Sequence, residues 1–148
     1  MNVIATTRKL WVMGQPSVDE FASLKRRGFA TVINNRPDGE APDQPGSWAE
    51  EQAANEAGLA YVDLPVTSTG ITNDDARRFQ AAIDASPGPV VAHCRSGARS
   101  FFLWIMTGDP ENKRDDEVLA LAKELHLDPK VVAARLAARR RLSVGENI

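Results

Sequence analysis

Val90 to Ser100, VVAHCRSGARS, is the stretch that leaves this chain the fewest choices. It holds the one cysteine, Cys94, directly after an apolar run, with Gly97 three residues on and guanidiniums at Arg95 and Arg99. A second apolar run, Phe101 to Met106, follows at once. The pattern predicts a strand, a tight loop and a helix. A loop that enters a helix points several backbone N–H groups into one concavity, and the helix N-terminus adds partial positive charge. Such a cradle holds anions, and a thiol placed in it is favoured as the thiolate by amides, dipole and arginine. Thiolate is the nucleophile, so the expected substrate is an anion held beside it. Cysteine by itself is often only a small buried apolar residue. The fixed positions of Gly97, Arg99 and Ser100 around it argue for chemistry.

The residues around Cys94 also carry a resemblance. His93-Cys94 with Gly97, Arg99 and Ser100 resembles the signature loop of the cysteine-dependent protein tyrosine phosphatases. Those enzymes place five residues between Cys and Arg, whereas this chain places four, Arg95 to Ala98. The shorter Cys-Arg-x-Gly-x-Arg is similar to the active loop of rhodanese-type sulfurtransferases. The chain as a whole resembles a bacterial family that combines the two. That family is the phosphatase-like domain of the beta-lactamase hydrolase-like proteins, also described as sulfurtransferases. Its other hallmarks stand here as Asn34 to Glu40, NNRPDGE, and as Gly14-Gln15-Pro16, so the likeness runs from about Leu10 to Met106.

A chain of 148 residues, 43% hydrophobic and 26% charged, is expected to form one domain over 1–148 with a real core. The net charge of −2 gives no reason to expect nucleic acid or an anionic membrane as partner. One cysteine excludes an internal disulfide and fits a reducing compartment. The N-terminal MNVIATTRKLWVM lacks a signal-peptide core, and no run approaches the ~18 apolar residues of a membrane span. Cytoplasm is the expected location. No metal and no other cofactor are expected, because no His, Cys and carboxylate cluster has ligand spacing. The oligomeric state is left open.

Along the chain, Lys9 to Met13 reads as a strand. Ser17 with Glu20 reads as a capping box opening a helix that Gly28 ends, and Phe29 to Asn34 as a second strand. Asn35 to Gly46 is loop by its prolines and glycines. Ser47 with Glu50 reads as a second capping box, on a helix closed by Gly58, before a third strand at Ala60 to Val66. Thr72 caps a helix through Ile83, and Ser86 to Pro89 stops it ahead of the cysteine strand. After Met106, Gly108-Asp109-Pro110 breaks the chain. Asp115 to Leu125 is helical, and Asp128-Pro129 opens a last helix to about Leu142, with the basic cluster Arg139-Arg140-Arg141 near its end. The expected fold is α/β: a mainly parallel sheet of four strands or slightly more, flanked by helices. No strand pattern follows Cys94. A rhodanese returns to its sheet there, so the scaffold implied by the resemblance is that of the dual-specificity phosphatases, with a helical C-terminus.

Two enzyme readings use the same thiolate, with Cys94, Arg99, Ser100 and His93 as the catalytic group. Arg95, Ser96, Gly97, Ala98 and, beyond the end of its strand, Arg36 are the expected anion-binding residues. His93 is expected to support and orient Cys94. In a phosphatase Cys94 would become a phosphocysteine, and a general acid would protonate the leaving group. The related phosphatases supply an Asp shortly after the strand preceding the helix that leads to the nucleophile. Here that region is Val66-Thr67-Ser68-Thr69-Gly70, without a carboxylate. Asp38 and Asp63 are the remaining candidates, although Asp38 suits its turn without any catalysis and Asp63 sits inside the strand. Glu40 could be an acid or a salt-bridge partner. In a sulfurtransferase Cys94 would become a persulfide; a sulfite leaving group needs no acid, and a shorter loop suits a single sulfur. Sulfur transfer from a thiosulfate-like donor is therefore the first reading, and phosphate-ester hydrolysis the second. The third, a non-catalytic anion or phosphopeptide-binding module, would not need Cys94.

Overall fold

The computed structural model describes residues 1–107 and 113–146, with side chains as far as Arg139. Gly108-Asp109-Pro110 and the side chains of Arg140 and Arg141 lie outside the described residues. The elements in order are β1 (Ile4–Ala5), β2 (Leu10–Met13), α1 (Glu20–Arg26), β3 (Thr31–Asn34), α2 (Ser47–Ala57) and β4 (Ala60–Asp63). They continue with α3 (Asn73–Ala85), β5 (Val90–His93), α4 (Ala98–Met106), α5 (Asp115–Glu124) and α6 (Pro129–Glu146). One sheet of five strands results, in the order β1-β2-β5-β3-β4. The inner pairs are parallel, and β1 alone runs antiparallel, Ile4 opposite Val12. The fold is the expected mixed α/β architecture with helices after the cysteine strand. β1, at two residues, is too short to leave an alternation in the sequence. β4 stops at Asp63, ahead of Pro65, which has no N–H to offer a ladder.

Alternation along the strands sorts the core into two layers. Met13, Val32 and Val91 face one side and join Phe21 and Leu24 of α1 and Ala54 of α2. Leu10, Val12, Ile33, Val90 and Ala92 face the other, against Phe79 and Ile83 of α3, the α4 residues, and Val132 and Leu136 of α6. α4 is apolar on nearly every side because it lies among β2, β5, α3 and α6, with Phe101, Leu103, Trp104 and Ile105 all buried.

Helix starts show where local signals are overruled. The Thr72–Asp75 box forms completely, Asp75 N–H to Thr72 Oγ1 at 3.1 Å and Thr72 N–H to the Asp75 carboxylate at 2.9 Å. At Ser17 only half forms: its N–H donates to Glu20 Oε1 at 2.9 Å, and the helix opens at Asp19 with no side-chain cap. At α2 the expected box is absent. Gly46 is the N-cap, Ser47 gives both its N–H and its hydroxyl to Asp38 at 2.7 and 2.6 Å, and Glu50 is buried. Asp38, nine positions upstream, thus takes over the capping. α5 closes with Leu127 N–H on Ala122 O at 3.1 Å and His126 N–H on Lys123 O at 3.0 Å, a Schellman turn. Its left-handed position, where glycine is usual, holds His126 at φ +59°. That conformation costs an L-residue roughly 1–2 kcal/mol. No helix among the described residues is long and apolar enough to cross a membrane.

Candidate active site

β5 delivers Cys94 to the C-terminal edge of the parallel sheet, where open α/β sheets bind ligands. The sulfur is buried and accepts the Gly97 N–H at 3.1 Å. Gly97 is the N-cap of α4 at φ +98°, the left-handed twist that turns this amide inward. Neighbours clamp the loop on two sides. Gln15 N–H donates to Arg95 O at 3.0 Å, and a Cβ at Gly14 would stand 3.0 Å from that same carbonyl. A Cβ at Gly97 would meet Leu125 Cδ2 at 3.0 Å and Met13 O at 3.4 Å. The Gly14-Gln15-Pro16 hallmark is thereby explained: the loop rests on it.

Arg99 approaches from α4. Its Nη1 donates to Glu40 Oε2 at 2.7 Å and to Val66 O at 3.0 Å, and its Nη2 to Glu40 Oε1 at 2.9 Å. A guanidinium has five N–H donors. Three are engaged here, and the two left, on Nε and Nη2, form one adjacent fork suited to an oxyanion. The Arg99 pKa is held up, first by the hydrogen bond to Glu40 and then by its interaction with Cys94. Glu40 also accepts from Arg36 Nε at 3.0 Å. The Arg99 hydrogen bond chiefly, with Arg36 adding to it against some desolvation, brings the Glu40 carboxyl down to about 2. Arg36 itself is buried and donates through Nη1 to Gln15 Oε1 at 3.0 Å. It sits one step behind the anion cradle and holds the residue that holds Arg99.

On the inner side His93 is fully buried, with Nδ1 3.1 Å from Cys94 O and Nε2 2.7 Å from Glu50 Oε1. Both ring nitrogens face oxygen atoms, so the imidazole is held from both ends. Glu50 accepts further from Gln15 Nε2 at 2.9 Å and from Tyr61 OH at 3.3 Å, and Asn34 Nδ2 donates to Tyr61 OH at 2.8 Å. Burial first, and then the Glu50 charge, push the Tyr61 phenol pKa up. Cys94, His93, Glu50, Gln15, Arg36, Glu40 and Arg99 are thus linked in one chain of hydrogen bonds beneath and beside the loop. Ser100 turns its hydroxyl to Asn35 Oδ1 at 2.8 Å, and Asn35 Nδ2 in turn bonds Leu64 O at 2.9 Å, so Ser100 ties the loop to β3.

The other sequence candidates land variously. Arg95 and Ser96 are exposed on the outside of the loop, Ala98 is half-buried at the first turn of α4, and Arg36 reaches the loop only indirectly, through Glu40 and Gln15. Asp38 spends both carboxylate oxygens on Ser47. Asp63 pairs in register with Asn34, which pairs with His93. Two strand spacings place its Cα ~10 Å from that of His93. It shares a face with Tyr61, and partial desolvation, followed by the Asp38, Glu50 and Glu51 carboxylates, raises its pKa. Sequence reading gave Glu50 a capping role and gave Gln15 and Tyr61 none. The hallmark stretches were the available signal for Gln15 and Asn34, whereas for Glu50 there was none, since its pattern mimics a cap. Among the described residues no group of three or more His, Cys, Asp or Glu could hold a metal ion.

The beta-lactamase hydrolase-like protein, phosphatase-like domain, matches as a family over residues 2–109. The beta-lactamase hydrolase-like protein of Xylella fastidiosa (strain Temecula1) is 45% identical over 118 residues, covering 78% of this chain and 27% of that protein. The chain therefore spans about a quarter of the length of the curated relatives it matches. Among solved structures, a candidate phosphatase from Neisseria meningitidis superposes with a TM-score of 0.83 at 27% identity, covering 94% of this chain and 99% of that one. The core catalytic domain of the PP-IP phosphatase SIW14 from S. cerevisiae, in complex with citrate, gives a TM-score of 0.71 over 99% of this chain and 93% of that one. At 11% identity, that likeness concerns the fold. The scaffold is that of the cysteine-dependent phosphatases, and with its cysteine loop, Asn34–Glu40 stretch and Gly14-Gln15-Pro16 turn the chain belongs to the phosphatase-like domain family of the beta-lactamase hydrolase-like proteins.

Proposed function

We propose that this site is a sulfurtransferase that carries sulfane sulfur on Cys94. The observation that carries the reading is the state of the carboxylates around the loop. Glu40 is held ionised between two guanidiniums, Asp38 is spent on Ser47, and Glu50 is buried against His93. None of the three is placed to hand a proton to a departing phenolate. A sulfite leaving group needs none, and the short cradle from Cys94 to Arg99 fits a terminal sulfur. The Cys94 thiolate attacks the outer sulfur of thiosulfate; the sulfur–sulfur bond of the donor breaks, its electron pair leaves with sulfite, and a persulfide remains. The free fork of Arg99 and the loop amides hold the sulfonate oxygens during the exchange. His93 supports the loop through the Cys94 carbonyl. A small anion is the expected substrate, one domain over 1–148 the working unit, and a reducing cytoplasm the setting.

Incubation with thiosulfate should add the mass of one sulfur atom to the intact protein. Cyanide should remove that sulfur as thiocyanate, and Cys94→Ser should acquire none. A protein that never gains the sulfur lacks the proposed activity. Phosphate-ester hydrolysis is the second reading, favoured by the raised carboxyl of Asp63 at the ligand end of the sheet. Brisk turnover of an aryl phosphate that falls about 10²–10⁴-fold in Asp63→Asn would establish that reading instead. Anion binding retained in full by Cys94→Ser, with no turnover of either substrate by the wild type, would mark a binding module.

A further inference from the structure

Gln15 joins three parts of the site. Its backbone N–H holds the Arg95 carbonyl at 3.0 Å. Its amide oxygen accepts Arg36 Nη1 at 3.0 Å, and its Nε2 donates to Glu50 Oε2 and to Pro16 O, both at 2.9 Å. Arginine only donates and a carbonyl only accepts, so these partners fix which way the amide faces. The turn that presents it is stiff: Pro16, with its fixed φ, is buried, and a Cβ at Gly14 would stand 3.0 Å from the Arg95 carbonyl oxygen.

Two arms leave this amide. Inward, Glu50 holds His93, which stands against the Cys94 carbonyl. Outward, Arg36 holds Glu40, which takes one N–H from each terminal nitrogen of Arg99. The nucleophile and the anion fork lie at the ends of the two arms. We infer that Gln15 is a positioning residue, whose amide keeps the Cys94 sulfur aligned with the anion that Arg99 holds. A displacement of about 1 Å between reacting groups can cost on the order of a hundredfold in rate. The role is the same whichever anion reacts, so it does not depend on sulfur transfer.

Glu50 divides its oxygens in a way that makes the amide testable. Oε1 serves His93 and Tyr61, and Oε2 serves Gln15. A carboxylate at position 15 would still accept from Arg36 but would offer Glu50 no N–H. An amide at position 50 could keep its oxygen on His93 and Tyr61 and turn its nitrogen towards position 15. Exchanging the two side chains therefore preserves their hydrogen bond with donor and acceptor reversed, and only the local bond to Pro16 O is lost.

Alkylation of Cys94 reads the alignment without any substrate. Iodoacetate carries a carboxylate, and iodoacetamide is its neutral counterpart. Thiolate fraction and access act on both reagents alike, so the ratio of their rates reports the placement of sulfur against fork. Wild type should favour iodoacetate about tenfold more than free cysteine does. Gln15→Met, similar in length and without the amide, should lower that ratio about tenfold in protein that remains folded by circular dichroism. Gln15→Glu should lower it comparably, and adding Glu50→Gln should return it to near the wild-type value. A Gln15→Met variant that melts earlier but keeps the wild-type ratio would reduce Gln15 to a structural residue and overturn the inference. A wild-type ratio no higher than that of free cysteine would overturn it too, because no alignment would exist to be held. Should Gln15→Met fail to fold, the exchange decides: a restored ratio upholds the inference, and a folded double variant as unselective as Gln15→Glu overturns it. Persulfide formation enters none of these readings, so loss of the sulfur-transfer reading would leave the result standing.

Discussion

Glu50 reaches the Cys94 loop from inside the protein, and Glu40 reaches it from the surface. Glu50 is 1% exposed and bonds a histidine as buried as itself, while the Glu40 side chain is 27% exposed and bridges two arginines. The inner pair has lost its water, so removing one partner strands the other without solvent. The outer bridge stays wet, and its loss leaves groups that water can serve. The inner carboxylate therefore governs whether the loop exists, and the outer one governs how well Arg99 points its free fork.

The comparison breaks most visibly at Glu50. Glu50→Ala should cost about 3–5 kcal/mol in urea unfolding, the loss typical of a broken buried pair, whereas Glu40→Ala should cost about 1 kcal/mol or less. Equal losses would show that the two sides are not distinct. Activity should reverse the ranking once folded protein is compared. Glu40→Gln should lower kcat/KM about ten- to a hundredfold, the value of a hydrogen bond to a charged group, with little change in melting temperature. Sulfate stabilisation of the Glu40→Gln variant should weaken in parallel; an unchanged increment would mean that Arg99 needs no outer partner. Thr72→Ala sharpens the contrast, since Asp75 serves only its own helix end. That variant should lose about 1 kcal/mol and leave turnover untouched.

The smallest effect is in pH. The folded Glu40 pKa, about 2, lies below its usual 4.5, so its stabilising share is complete above 4.5 and is lost as pH falls through about 2. Between those limits the wild type should lose stability more steeply than Glu40→Gln in acid-melting curves. Parallel curves would mean that the bridge contributes nothing in solution.

Much of this was legible from the residues. Alternating strands and helices gave the parallel sheet, and the cysteine stretch gave the strand, loop and helix, because hydrophobic period and turn chemistry are local properties. What escaped was set by long-range partners. Ser47 and Glu50 have the spacing of a capping box, as do Thr72 and Asp75, and nothing local separates the two. Only the fold brings His93, 43 positions away, against Glu50. Arg36 was read as touching the anion because it follows a strand end. The structure puts Glu40 between it and Arg99, a geometry fixed by the path of a loop that no periodicity describes.

Gly14 carries one more consequence. A methyl group there would sit 3.0 Å from the Arg95 carbonyl, and on the far side Gly97 leaves equally little room before Leu125. The cysteine loop is a span fixed at both abutments, so its length is not a freely adjustable trait. A residue inserted next to Gly97 would press on the β2 turn or on the end of α5, and only at the exposed Arg95 and Ser96 does the arc have room to bulge outward. Converting the four-residue arc to the five of a tyrosine phosphatase is therefore least costly at Arg95–Ser96, and beside Gly97 it calls for changes in the β2 turn or in α5 as well.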